Sequence, residues 1–284
     1  MPADLEPAGG EAGPLAILAG GGDLPRRLIE VCRARGREVF VIAFEGQTDP
    51  ETTALAEHIW TRLAAAGEIL DALRARGIVE LVLAGPIRRP SLLSLRPDAR
   101  AARFLARIGP RAFGDDGLLG AIVRALEEEE GFRVVGVDDV LGDVLAGAGV
   151  LGALRPDAAA GADIRRGLEV VRALGRLDVG QAVVVQQGIV LGVEAIEGTD
   201  ALLARVATLR RPGPGGVLVK AKKPQQERRV DLPTVGPATV AGAAEAGLRG
   251  IAVEAGATLL IDRRATVMRA DAAGLFLYGL TVGP

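Results

Sequence analysis

Apolar residues in the first half of this 284-residue chain follow two alternating rhythms. Compact runs such as LAILA (Leu15 to Ala19) and VFVIAF (Val39 to Phe44) have the character of strands buried on both faces. Between them Leu28, Ile29 and Cys32 recur at the spacing of one helix face. Gly20-Gly21-Gly22 separates the first strand from that helix, and Pro25 sits where a first helical turn accepts it. The helix is expected to stop near Gly36. The order then repeats, GEILDALRARG leading into IVELVLAG before Pro86, and GLLGAIVRALEEEEGF into RVVGV. Strand and helix alternating over residues 15–138 predict a doubly wound parallel sheet of Rossmann-like type.

Residues 138–178 break this rhythm, with helical pieces separated by glycines and no strong strand. A domain boundary is placed there, giving a disordered lead-in at 1–14, an N-terminal domain over 15–145 and a C-terminal domain over 146–284. In the latter, AVVVQQGIVLGVEA predicts a hairpin turning at Gly188, Thr199 is placed to cap a helix running to about Leu209, and VLVKA is a strand after the loop RRPGPGG. KKPQQERRVDLP is polar and lacks periodicity. Helix PATVAGAAEAG, strand-like GIAVEAG and ATLLID, a helix from Arg263 to about Ala272 and strand LFLYG complete the chain. The fold class is therefore α/β, an N-terminal Rossmann-like parallel sheet domain plus a C-terminal mixed α/β domain.

Composition narrows the function. With 49% hydrophobic residues the chain can bury substantial cores. Lys and Arg number 34 against 36 Asp and Glu, so no global field draws nucleic acid or an anionic membrane, and any phosphate affinity must be local. Cys32 is the only cysteine, which excludes an internal disulfide and a cysteine zinc cluster, and fits a reducing cytosol. Residues 1–14 lack a basic residue and an apolar centre, unlike a signal peptide, and no run approaches the roughly 18–20 apolar residues of a membrane span. His58 is the sole histidine, in AEHIW at amphipathic-helix spacing, which argues against a histidine-rich dinuclear hydrolase. Aromatics make up 3%, with Trp60 and Tyr278 isolated, leaving no base-stacking platform. Because the chain carries 39 glycines and many arginines, single Gly or Arg positions say little and grouped residues carry the argument.

Two segments hold such groups. Gln186 to Val206 supplies Gln186, Gln187, Glu194, Glu197, Thr199 and Asp200; Gly215 to Gly236 supplies Lys220, Lys222, Lys223, Glu227 and Asp231. A basic cluster is ordinarily a solvated loop. Here the lysines follow a strand, adjoin Pro224 and share their block with two carboxylates four residues apart. Mg²⁺ takes oxygen ligands from one or two carboxylates plus substrate phosphates, so this company suits a phosphate and a divalent ion. Glu194 ends an apolar strand on an inward face, whereas Thr199 and Asp200 are also explained as a helix cap and first-turn acid. Gly20, Gly21 and Gly22 would let a nucleotide or pyrophosphate approach the following helix N-terminus, although AGGGDLP is neither G-x-G-x-x-G nor a P-loop and reads equally as a tight turn. Asp262 is a cap or an outer carboxylate, Asp115-Asp116 a cap, Glu127 to Glu130 a solvated helix end, and Cys32 a packing residue. Arg88 and Arg89 follow a strand.

VEAIEGTD, KKPQQERRVDLPTVG and LAILAGGGDLPRRLIEVCRARG, with LAGPIRRPSLLSLRPDA and GDDGLLGAIVRALEEEEGF, resemble the UDP-2,3-diacylglucosamine pyrophosphatases of lipid A biosynthesis. The likeness is to the metal-dependent two-domain type, distinct from the histidine-rich metallophosphoesterase, and runs from about Leu15 to the C-terminus. It implies hydrolysis of an acylated sugar nucleotide to UMP and 2,3-diacylglucosamine 1-phosphate with Mg²⁺ or another divalent cation such as Mn²⁺. It also implies a cytoplasmic homodimer, peripheral at the inner face of the inner membrane. By this resemblance Asp231, in VDLPT, is the central carboxylate, with Glu227, Lys220 and Lys223 as catalytic companions and Glu194 and Glu227 as further metal ligands. Glu227 stands where relatives carry Asp, so its role is the less certain of the two. Gly20, Gly21, Gly22, Gln186, Gln187, Glu194, Glu197, Thr199, Asp200, Lys222 and Thr234 are expected to bind substrate, and aliphatic residues of LLSL and VLGAL to cover its acyl chains.

Two other readings stay open at this level. Glu45, ending the second strand, imitates the acid that binds a ribose, which would suit an NAD(P)-dependent oxidoreductase. A non-enzymatic binder of the acylated sugar nucleotide would use the same surface without the chemistry.

Overall fold

A computed structural model describes residues 13–88, 95–109, 115–224 and 226–283. Residues 1–12 of the lead-in, Arg89, Leu92, Leu93, Gln225 and the side chains of Asp115 and Asp116 lie outside the described residues. The chain divides into two compact units, one formed by 1–112 with 121–141 and the other by 113–120 with 142–284.

In the first unit β1 (Leu15–Ala19), β2 (Val39–Phe44), β3 (Glu57–Thr61), β4 (Glu80–Ala84) and β5 (Arg133–Val134) form one sheet in the order β3-β2-β1-β4-β5. All its pairings are parallel. The order reverses beside β1, as in a doubly wound sheet. Central strands β1 and β2 are apolar throughout because both faces are covered. Helix α1 (Asp23–Ala34) buries Pro25, Leu28, Ile29 and Cys32 on one stripe, and burial pushes the Cys32 thiol pKa up, so it is a packing residue. Helices α2 (Pro50–Thr53) and α3 (Ala66–Ala75) follow β2 and β3.

Two expectations fail in this unit, and one helix was not foreseen. His58 lies on edge strand β3, paired with Val41, and not on a helix. Its ring meets Trp60 edge to face, because residues two apart share one side of a strand. Helix α4 (Ala99–Ile108) was not foreseen; Asp98 caps it by accepting from the backbone N–H groups of Arg100 and Ala101. Glu130 is no solvated helix end, since after α5 (Asp115–Arg124) and a π-helical turn at Ala125–Glu129 it accepts from both Arg74 and Arg100 at 2.5 Å.

The second unit carries a mixed sheet built from β6 (Gly149–Val150), β7 (Ala182–Gln186), β8 (Ile189–Val193), β9 (Val217–Lys220), β11 (Gly250–Glu254) and β13 (Phe276–Leu280), in the order β6-β13-β11-β9-β7-β8. Strands β9, β11 and β13 run parallel, while β6, β7 and β8 join antiparallel. Strand β10 (Thr234–Val235) pairs with β12 (Leu259–Leu260) as a separate ribbon. Short helix α6 (Val137–Leu141) precedes the unit, and α7 (Ala158–Arg176) packs on one face of its sheet, where Val183, Val185, Val217 and Val219 point. Helices α8 (Gly198–Ala207), α9 (Pro237–Glu245) and α10 (Arg263–Ala272) serve the other face, over Val184 and Leu218. Residues at period two along β7 and β9 thus fill two cores.

Helix α7 corrects the reading of 138–178 as glycine-separated pieces, because it runs unbroken for 19 residues. Its glycines are contact points. A Cβ on Gly167 would lie 2.5 Å from Val219 Cγ2, and one on Gly175 would lie 3.2 Å from Lys223 Cα. The β7–β8 hairpin turns through Gln187 and Gly188, both at positive φ, as a two-residue primed turn demands. Asp163 of α7 accepts from both of their N–H groups. Asp262 is the N-cap of α10, accepting from Ala265 N–H.

Candidate active site

Lys220 ends β9 at the edge where parallel strands β9 and β11 finish, the edge at which α/β sheets collect ligands. It continues the Leu218 face and so projects toward α8 where an apolar residue would ordinarily stand, and it is 4% exposed. Its Nζ donates to Thr199 Oγ1 at 2.8 Å and to the Thr234 carbonyl at 3.0 Å. Burial pushes the Lys220 pKa down, against the charges of Glu194, Asp200 and Asp231, which favour the ammonium.

Thr199 was expected to serve as the cap of α8. It lies inside the helix instead, Glu197 holding the N-cap position, and its hydroxyl is turned to the site. A lysine ammonium only donates and a carboxylate only accepts, so the hydroxyl accepts from Lys220 and donates to Glu194 Oε1 at 2.6 Å. The other Glu194 oxygen accepts from Gln181 N–H at 3.0 Å. Gln181 Oε1 in turn accepts from Gln226 Nε2, which also donates to Asp231 Oδ2 at 2.6 Å. Asp231 and Thr234, three residues apart on one loop, are thereby joined by a polar circuit through Gln226, Gln181, Glu194, Thr199 and Lys220. Gln181 and Gln226 were missed because nothing in their spacing separates them from solvated glutamines.

The lysines do not converge. Lys223, 5% exposed, pairs with Asp178 at 2.7 Å, and Asp178 stands at φ 54°, a conformation rare outside glycine. Lys222 presents its backbone N–H to Glu254 Oε2. Glu227 pairs with Arg229 at 3.0 Å. Asp200 is exposed in the first turn of α8, and Glu197 binds Arg205 and Ala195 N–H.

Several expected residues sit elsewhere. Gln186 is at the opposite end of β7 from Ala182, the partner of Lys220, which separates them by about 13 Å of strand. Its buried amide is committed to Arg211 and Pro214, holding the loop before β9, and Gln187 Nε2 donates to Pro212 O. In the first unit the N–H groups of Gly20, Gly21 and Gly22 are taken by Ala84 O, Pro86 O and Asp49 Oδ2. A Cβ on Gly20 would lie 2.5 Å from Gly85 O, so close packing accounts for that glycine without a ligand. The dinucleotide reading thus loses the three N–H groups it would turn to a phosphate; Glu45 is exposed beyond β2. Arg88 is tied through its backbone to Gln47. A cavity of about 510 Å³ in this unit, lined by Val39, Glu57, Arg33, Arg37 and Arg76, opens at the opposite, N-terminal edge of the strands. Its arginines are engaged with Leu55 O, Glu80 and Glu57.

A family model described as the LpxI N-terminal domain matches residues 14–144, and one described as the LpxI C-terminal domain matches residues 147–278. The chain is 43% identical over 273 residues to the UDP-2,3-diacylglucosamine pyrophosphatase LpxI of Caulobacter vibrioides, covering 94% of this chain and 97% of that protein. Among solved structures, the biotin carboxylase subunit of pyruvate carboxylase is 16% identical over 61% of this chain and 35% of its own, with a TM-score of 0.23. The biotin carboxylase domain of a thermophilic 2-oxoglutarate carboxylase is 14% identical over 60% and 34%, with a TM-score of 0.22. With both halves matched in order and identity sustained along nearly its whole length, the chain belongs to the LpxI family.

Proposed function

We propose that this chain hydrolyses the pyrophosphate bond of UDP-2,3-diacylglucosamine, releasing UMP and 2,3-diacylglucosamine 1-phosphate. The observation that carries this reading in the structure is the buried Lys220 with Glu194, Asp200 and Asp231 around it, at the strand ends where α/β sheets collect ligands. The likeness to the Caulobacter vibrioides enzyme supports the substrate. Hydrolysis forms one bond from a water oxygen to phosphorus and breaks one from phosphorus to the bridging oxygen. Negative charge grows on the departing phosphate, so groups fixed beforehand against that charge lower the barrier.

Lys220 is such a group, since its ammonium is held by Thr199 and the Thr234 carbonyl and has no freedom to relax. Glu194, buried with both oxygens already accepting, serves as its countercharge. Lys223 and Asp178 brace the start of the loop that carries Asp231. Asp231 orients the attacking water or holds the ion.

Among the described residues no group of three or more His, Cys, Asp or Glu side chains is gathered as a metal cage. Mg²⁺ needs no such cage, because one or two carboxylates with substrate phosphates suffice, and the partly exposed Asp231 is such a carboxylate, with Glu227, paired to Arg229, four residues before it. Bound there with substrate phosphates, Mg²⁺ or Mn²⁺ would supply Lewis-acid polarisation of phosphoryl oxygens. The reading also places the chain in the cytoplasm as a homodimer that collects a diacyl substrate at the inner membrane face. No helix among the described residues is long and apolar enough to cross a membrane.

Purified protein is expected to release UMP from UDP-2,3-diacylglucosamine with Mg²⁺, to stop with EDTA, and to lose turnover in Asp231→Ala while still binding substrate. A protein that binds without turnover under any divalent ion would be a carrier, and one that binds nicotinamide cofactor instead would be an oxidoreductase.

A further inference from the structure

Gln226 is the least expected member of the polar circuit. It sits in a polar, aperiodic stretch, yet it is 5% exposed and each polar end of its amide has a partner. Lys223 N–H can only donate, so the amide atom facing it at 3.1 Å is Oε1, and the opposite atom must be the NH₂. That NH₂ reaches Asp231 Oδ2 at 2.6 Å and Gln181 Oε1 at 3.2 Å. One neutral side chain thus joins the backbone N–H of Lys223, after β9, to Gln181, just before β7, and to the carboxylate on which the hydrolytic reading depends. A neutral donor suits this place, because a lysine there would add charge beside Lys220 and Lys223 and a carboxylate would repel Asp231.

We propose that Gln226 is a positioning residue for the reaction, fixing through its NH₂ group the direction in which the Asp231 carboxylate faces the pyrophosphate. This rests on the pyrophosphatase reading above. Gln226 acts through Asp231 and touches no reacting atom. The near-isosteric Gln226→Glu separates this role from loop building, since it keeps the oxygen that accepts from Lys223 N–H and replaces the donor facing Asp231 by an acceptor that repels it.

Turnover of wild type, Gln226→Glu, Asp231→Asn and the double variant decides the matter. Gln226→Glu is expected to lower kcat by about tenfold to a hundredfold with KM within about twofold, the range seen when a group supporting a reacting side chain is lost. In the Asp231→Asn background the same change is expected to cost nothing further, because its target is already gone. An unchanged kcat, or losses that multiply in the double variant, would overturn the proposal. The side-chain amide of Gln226, followed by ¹⁵N NMR in the full chain, gives a readout that needs no turnover: slow exchange with solvent, and a resonance that moves in Asp231→Asn. If wild type turns nothing over while that resonance moves, the substrate reading fails and the hold of Gln226 on Asp231 stands. A rapidly exchanging amide indifferent to Asp231→Asn would overturn it whether or not the protein is active.

Discussion

The ammonium of Lys220 and the carboxylate of Glu194 meet at one hydroxyl, that of Thr199, which accepts from the lysine at 2.8 Å and donates to the glutamate at 2.6 Å. A buried cation and a buried anion are thereby held in register by a neutral group on a third element.

Thr199→Val keeps the shape and removes that hydroxyl. Stability is expected to fall by about 1–3 kcal/mol, the cost of leaving buried partners unsatisfied, and Thr199→Ser to restore most of it. Urea unfolding of the two variants beside wild type measures this; equal midpoints for valine and wild type would mean the hydroxyl holds nothing.

The depressed pKa of Lys220 makes a statement about pH. The unfolded chain binds this proton more tightly than the folded one, so between the folded value and the ordinary lysine value of about 10.4 the unfolded state carries more protons and stability rises with pH. The free-energy difference between wild type and Lys220→Met is therefore expected to shift in favour of wild type as pH climbs through that window. Denaturant titrations at neutral and alkaline pH supply both values, and a difference flat in pH would contradict the sign.

Glu130 predicts the same sign in the acid range. Burial works to raise its pKa, but hydrogen bonds and charge from Arg100 and Arg74 outweigh that and leave it lowered. Its contribution is present above the ordinary glutamate value of about 4.3 and is lost as pH falls through the depressed folded value. Glu130→Gln is expected to be less stable than wild type at neutral pH and to converge with it in acid, as thermal melts across pH would record.

Two glycines of α7 should respond with opposite sign. Gly161→Ala meets only Arg165 Nη1 at 3.7 Å and is expected to stabilise by up to about 1 kcal/mol through helix propensity. Gly167→Ala forces a Cβ to 2.5 Å from Val219 and is expected to destabilise by about 1–3 kcal/mol, more than the propensity gain. Calorimetric melting of both variants tests the pair.

The N-terminal sheet was legible because its central strands are apolar throughout and its helices carry clean stripes. Edge strand β3 was not, since EHIWT is exposed or half-buried at four of its five positions and too short for period two to stand out from period 3.6. Helix α7 was misread for a physical reason: glycine signals a break when backbone freedom is the issue, but Gly167 and Gly175 are there for proximity to a sheet and a loop. At the site, Lys220 and Glu194 were visible as charges ending apolar runs, and Thr199 and Asp231 as polar residues of the same two segments. Asp178, Gln181 and Gln226 were invisible, because a side chain whose value lies in a partner far along the chain leaves no local trace. Gln186 and Gln187 misled in the opposite sense, being local turn and loop fasteners.

Helix α7 has one more consequence. At 19 residues it is about 28 Å long, and Gly167, the one of its glycines packed against the sheet, lies near its middle. Gly175, about 12 Å farther on, rests against Lys223 and Pro224. One rigid helix thus touches the sheet at Val219 and the start of the loop leading to Asp231. A methyl group added at Gly167 is therefore expected to be felt at Lys223 and Pro224, so inherited changes on a face with no chemistry of its own can shift the loop that carries Asp231.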